Sequence, residues 1–321
     1  MRRVFAAALA ASLAVAAVPS AQVVNGSSRE KLVVDVAWLA DHLGDADLVI
    51  LQIGRKETYE AGHIPGARFV DTGAGALTAG RDPAALALEM PPPAELHDQL
   101  AALGISDRSR VVVAPADGYW TPSTRVVITL DYAGLSNVVW LDGGLKAWTD
   151  AGRAVLKDTP AVKPGALAPL TIRPVVVDAD FVRAHARTPG FAIVDARART
   201  YYDGIPFTMR GNGPPPKLGH VPGALSAPYD LFLESAMEGM GGGTGGKVTL
   251  RPADQIEAIF TAAGVKPGDT IIGYCHIGQQ ATGMLFAART LGHNVLLYDG
   301  SFQDWQKRDL PVENPSAKKD K

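Results

Sequence analysis

One stretch of this 321-residue chain carries residues able to do covalent chemistry: the segment IIGYCHIGQQAT at 271–282, which contains the only cysteine, Cys275. An apolar, β-branched run leads into the cysteine. Behind it Met284, Leu285, Ala288 and Leu291 fall on one face of a predicted helix over 279–291. A helix start offers unpaired backbone N–H groups and partial positive charge. A thiol held at such a place loses its proton more readily and becomes a nucleophile. Gly278 lets the backbone bend so that successive N–H groups can face an anion. Cysteine is also one of the most frequently buried residue types, so the loop alone leaves an inert apolar Cys275 equally open.

The elements that would position this loop recur along the chain. Apolar strand patterns at 47–53, 110–114 and 137–141 alternate with helical patterns at 33–43, 93–103 and 122–133. Such alternation predicts βα units around a mostly parallel sheet. The chain then repeats itself: GHIPGA at 62–67 returns as GHVPGA at 219–224, and VVWLDGGLKAW at 138–148 as VLLYDGSFQDW at 295–305. His63 precedes Asp142 by 79 residues (142 − 63), and His220 precedes Asp299 by the same 79 (299 − 220). Two motifs at one spacing indicate a duplicated domain. The expected division is a first copy at 31–155, a Pro-rich linker at 156–174 and a second copy at 175–313.

The copies differ where chemistry would sit. Cys275 falls on Gly118 of the first copy, and Asp195 and Arg197 fall on Gln52 and Gly54. Thiol, acid and arginine are absent together from one copy and present together in the other, which favours a working Cys275. His63 and His220, and likewise Asp142 and Asp299, occur in both copies and are expected to serve turns and caps. Asp195 is expected to pair with a neighbouring base or backbone N–H. Tyr119 and Trp120 either wall a cleft or pack an interface. The second copy holds about 14 extra residues between Gly204 and Gly219, with Arg210, Lys217 and a Pro214, Pro215, Pro216 run, and a glycine-rich loop at 237–247. Residues 241–247 spell GxxxxGK, but Val248 follows where a phosphate-binding loop needs Ser or Thr, and no strand precedes it.

Composition sets outer limits. The chain is 47% hydrophobic and 20% charged, as globular chains are. A net charge of −2 argues against nucleic acid as a partner, and one cysteine excludes an internal disulfide framework or a CxxC site. Arg2 and Arg3, the apolar run 4–18 and the small residues Ser20 and Ala21 have the order of a secretory leader over 1–21. The apolar run is shorter than the ~20 residues of a membrane span. The expectation is an exported, periplasmic protein with no stable membrane insertion after cleavage, its charge moving from −2 to −4 with the loss of Arg2 and Arg3.

GHxPGA, LDGG followed by tryptophan, a strand ending in a cysteine loop and tandem duplication together resemble the rhodanese family of sulfurtransferases, in its form with an inactive first copy. The resemblance covers roughly residues 31–312. It implies an α/β fold of two tandem rhodanese-like domains, each a mostly parallel five-stranded sheet with helices on both faces. It implies transfer of a sulfane sulfur from thiosulfate to cyanide or a thiol through a persulfide on Cys275, with no metal or organic cofactor. Residue by residue, Cys275 matches the nucleophile, Arg197 the arginine that helps bind the anionic donor, and His276, Ile277, Gly278, Gln279 and Gln280 the rest of the substrate-binding loop. Thiosulfate enzymes of the family typically place two basic residues after the cysteine and 3-mercaptopyruvate enzymes small ones. Here His276 as a cation or donor, with the amides of Gln279 and Gln280, points to thiosulfate. Alternatives are a 3-mercaptopyruvate sulfurtransferase, or a non-catalytic persulfide carrier or binding protein. Gln279 and Gln280 are equally able to cap the helix start. A related cysteine phosphatase needs an arginine six residues after the cysteine, and position 281 is alanine.

Overall fold

The computed structural model describes residues 29–73, 75–79, 85–118, 120–206, 217–234 and 246–318. The expected leader at 1–21, Tyr119, Arg210 and the proline run at 214–216 lie outside the described residues, as does the glycine loop except for its last two residues.

Two five-stranded sheets share one topology. β1 (Val33–Val34), β2 (Leu48–Ile53), β3 (Arg68–Val70), β4 (Arg110–Pro115) and β5 (Val138–Leu141) lie in the order β1-β5-β4-β2-β3. β6 (Val176–Val177), β7 (Phe191–Asp195), β8 (Leu225–Ser226), β9 (Thr270–Tyr274) and β10 (Val295–Tyr298) lie in the order β6-β10-β9-β7-β8. Every pairing within both sheets is parallel. The duplication read in the sequence is thus a duplication of strand order. In each sheet the order reverses beside the central strand, and open α/β sheets bind ligands at that crevice, outside the strands' carboxyl ends.

The predicted helix over 33–43 is corrected at its start. Val33 and Val34 pair with Trp140 and Leu141 at the sheet edge, and the helix Val36–His42 begins only after Asp35, whose side chain accepts from the Trp38 N–H at 2.7 Å. The short edge strands β3 and β8 have no sequence signal strong enough to predict them. The two motif histidines serve the scaffold. His63 stacks on Tyr59 (centroids 4.1 Å) and its backbone bridges Leu156; His220 stacks on Tyr202 (3.7 Å) and bridges Glu313. The Pro-rich segment after residue 156 is laced to the first unit, with Gly165 N–H donating to the Ala101 carbonyl and Arg173 N–H to that of Tyr132.

One apolar cluster runs through both units. Trp120 and Trp140 of the first meet Phe286 of the second, with Trp140 and Phe286 5.5 Å apart, between the interface helix Thr121–Tyr132 and the loop helix Gln280–Thr290. Trp120 is fully buried there, so it packs the interface. A Cβ on Gly283 would lie 2.8 Å from its ring, a contact only glycine allows. Among the described residues no helix is long and apolar enough to cross a membrane.

Candidate active site

β9 is buried on both faces and pairs with β7 so that Tyr274 lies opposite Asp195. Cys275 and Arg197 therefore emerge next to each other at the carboxyl ends of adjacent strands. From Cys275 the chain makes a five-residue loop and enters the loop helix at Gln280.

The loop's carbonyls are held from one side. Phe302 N–H donates to the Cys275 carbonyl and Gln303 N–H to the His276 carbonyl, both at 3.0 Å, from the first turn of the helix Ser301–Lys307. Ser301 Oγ accepts from the Cys275 N–H at 3.2 Å. In a planar trans peptide the C=O and the following N–H point in opposite directions. Fixing these two carbonyls therefore turns the amides of His276 and Ile277 away from that helix. Gly278, at φ +80°, makes the sharp bend. Among the described residues no group accepts a hydrogen bond from the amides of residues 276–279. Consecutive uncommitted donors of this kind suit an anion.

Cys275 itself is wholly buried, within the apolar cluster that joins the units. A donor reaches Sγ only when the loop or the interface opens.

Arg197 is committed elsewhere than expected. Its Nε contacts both Asp195 carboxylate oxygens (3.0 and 3.1 Å), while Nη2 donates to Asp195 Oδ2 at 2.6 Å and to the Gly219 carbonyl at 2.8 Å. The guanidinium lies over the Phe302 ring, 3.9 Å from its centroid. Two of its three nitrogens are thus unavailable as a fork for a donor. Burial opposes its charge, but Asp195 and, more weakly, Tyr274 and Cys275 raise its pKa above the ordinary value. Asp195, besides pairing with this base as expected, accepts from the Tyr274 hydroxyl at 2.7 Å.

Of the two states expected of His276, cation or neutral donor, the structure leaves the second. Burial and the nearby Arg197 outweigh Asp195 and lower its pKa to about 4, so its ring is neutral at pH 7. That ring meets Tyr201 edge-on, centroids 4.5 Å apart. Ile277 and Gln279 line a cavity of about 790 Å³ between the units, shared with Gly54, Leu88 and Pro122 of the first. The cavity flanks the loop without reaching the sulfur. Gln279 gives the helix start no side-chain cap; its Nε2 lies 3.5 Å from Thr121 Oγ1. Gln280 Oε1 is buried with no partner.

In the first copy the corresponding loop is closed by its own acid. Asp117 accepts from the Arg55 N–H (2.7 Å) and the Thr58 hydroxyl (2.8 Å). The strand register corrects the expected match of Cys275 to Gly118: Tyr274 pairs with Asp195 as Ala114 pairs with Gln52, so Pro115 stands where the cysteine would be. Sequence reasoning misses Ser301, although a signal is there to be found: Gly144 occupies the same place in the first copy, and both hold positive φ (+52° and +57°).

The sequence profile of the Rhodanese-like domain matches residues 35–151 and again 178–308. The chain belongs to the rhodanese family. Relatives of this rhodanese-family chain include a protein named as a probable 3-mercaptopyruvate sulfurtransferase from Pseudomonas aeruginosa, 31% identical over 280 residues, covering 83% of this chain and 92% of that one. A thiosulfate sulfurtransferase from the same organism is 29% identical over 286 residues, covering 88% and 97%. Among solved structures, that of SseA, described with the 3-mercaptopyruvate sulfurtransferases of Escherichia coli, superposes with a TM-score of 0.68 at 26% identity, covering 84% of this chain and 98% of that one.

Proposed function

We propose that this protein is a sulfurtransferase that carries sulfane sulfur as a persulfide on Cys275. The observation that carries the proposal is the loop itself: a cysteine at the end of the central strand, followed by amides with no acceptor among the described residues. With thiosulfate, the Cys275 thiolate attacks the outer sulfur, a new S–S bond forms, and the old one breaks with its electron pair leaving on sulfite. The terminal sulfur of the persulfide is then anionic and lies where backbone N–H groups can stabilise it. Cyanide or a thiolate attacks that sulfur, and the Cys275 thiolate departs unchanged. Cys275→Ser should abolish transfer from any donor; retained turnover would refute the proposal.

A neutral His276 and a sequestered Arg197 support 3-mercaptopyruvate over thiosulfate as donor. The reading for thiosulfate rests on His276 as a cation or donor and on the amides of Gln279 and Gln280; with His276 neutral only uncharged donors are left, and these compensate the desolvation of a doubly charged anion less well than that of a singly charged one. With 3-mercaptopyruvate the Cys275 thiolate attacks the donor sulfur, an S–S bond forms, and the C–S bond breaks with its electron pair leaving on carbon as the enolate of pyruvate, which takes a proton to give pyruvate. Initial rates with both donors test this, a higher kcat/KM for thiosulfate counting against it. The leader-like order of residues 1–21 supports export to the periplasm; finding the protein with its first residues intact in the cytoplasmic fraction would contradict that.

A further inference from the structure

The third oriented carbonyl of the loop is held by the unit that has no cysteine. Arg125 lies on the interface helix and is 2% exposed. Its Nη1 donates to the Gly278 carbonyl at 3.2 Å and to Asp299 Oδ1 at 2.5 Å, and its Nη2 to the Leu88 carbonyl. Asp299 Oδ2 accepts from the Met90 N–H at 2.7 Å, also across the boundary. Asp299 stands two residues before Ser301, at the start of the helix that holds the Cys275 and His276 carbonyls. One guanidinium therefore ties the far end of the cysteine loop to the element that pins its near end.

This arrangement is a poor way to gain stability. Desolvating two charges offsets most of their attraction, and Arg125 Nε is left buried without a partner. What the pair supplies is position. Holding the Gly278 carbonyl toward Arg125 turns the Gln279 N–H to the opposite side. A Cβ at position 278 would lie 2.6 Å from the Asp299 carbonyl and 3.2 Å from Arg125 Nη1, so the fit is close as well as bonded. The motif aspartate of the first copy, Asp142, has no such task. It accepts from the Leu250 N–H at 3.0 Å and pairs with the part-exposed Arg29 at 3.8 Å.

We propose that Arg125 is a positioning residue for the Cys275 loop, acting across the domain boundary by fixing the Gly278 carbonyl and so aiming the Gln279 amide at the charged sulfur. The inference rests on the sulfurtransferase reading for its kinetic consequence, but its structural consequence can be read without activity. The test uses Arg125→Met and, so that no carboxylate is left buried alone, Arg125→Met/Asp299→Asn. Single-turnover release of sulfite from thiosulfate, or of pyruvate from 3-mercaptopyruvate, should slow by at least about tenfold, as expected when one oriented donor of an anion site is lost. The donor concentration at half-maximal rate should stay unchanged, and the Gln279 backbone ¹⁵N resonance should move. Wild-type rates, a change confined to donor half-saturation, or an unmoved Gln279 resonance would each overturn the positioning role while leaving sulfur transfer intact. Should the wild-type protein release neither product, the functional reading fails instead, and the Gln279 resonance alone decides whether Arg125 holds the loop.

Discussion

His276 and Arg197 show how far a residue's type is from its state. As a residue type, histidine after the nucleophile suggests a cation; in place, burial and Arg197 leave it neutral with a pKa of about 4. The sign of the stability effect follows. Between about pH 6.5 and pH 4 the unfolded chain binds a proton that the folded one does not, so stability is intact above that window and falls as pH drops through it. Going from pH 7 to pH 5 should cost about 2 kcal/mol at this residue, a tenfold difference in proton affinity being worth on the order of 1.4 kcal/mol. Urea titrations of His276→Gln at both pH values should show a loss smaller by that amount, and an identical loss would contradict a neutral His276. Arg197→Ala has a consequence the sequence does not suggest. Removing the guanidinium leaves the buried Asp195 carboxylate with only the Tyr274 hydroxyl and the backbone N–H of residue 197, no longer paired with a cation, which should cost about 3 kcal/mol. An unchanged unfolding midpoint would show that the Arg197–Asp195 pair is not what holds this corner.

At the scale of elements, the cysteine loop is shaped by the turn after β10 as much as by its own residues. Ser301 holds a left-handed conformation, φ +52°, while its Oγ accepts from the Cys275 N–H and donates to the Tyr298 carbonyl. Ser301→Ala and Ser301→Gly both remove the acceptor, at roughly 1–3 kcal/mol for an orphaned buried N–H. Only alanine keeps the left-handed strain, so the glycine variant should be the more stable by about 1 kcal/mol. Equal melting temperatures would argue that the strain is absent. The strand, the cysteine loop and the helix behind it were legible because each has a local cause: β-branched residues, a glycine and an apolar period. The pins were not legible, because Ser301, Phe302, Gln303 and Arg125 reach the loop from 26 to 153 residues away along the chain, and no local pattern records such contacts. The duplication was legible because GHxPGA and the DG turn recur at constant spacing, yet what the copies do with those residues differs, as Asp142 and Asp299 show.

At the scale of the molecule, the two units share one core and one set of buried charges. Asp131 on the interface helix binds Arg173 of the connecting segment and Arg289 of the loop helix, the latter at 3.0 Å. Burial lowers the Arg289 pKa and Asp131 opposes that shift. Asp131→Ala would leave two arginines facing each other, and should lower stability by about 3 kcal/mol; an unmoved urea midpoint would mean that this charge cluster does not hold the units together. The unit without a cysteine thus supplies packing, charge balance and one wall of the cavity beside the loop. The proposed sulfur transfer requires a sulfur atom held on Cys275, and intact-protein mass spectrometry tests that most directly. After one turnover with 3-mercaptopyruvate or thiosulfate, without acceptor, the chain should gain the mass of one sulfur atom, located on Cys275 and removed by cyanide. A chain whose mass is unchanged by both donors would contradict it.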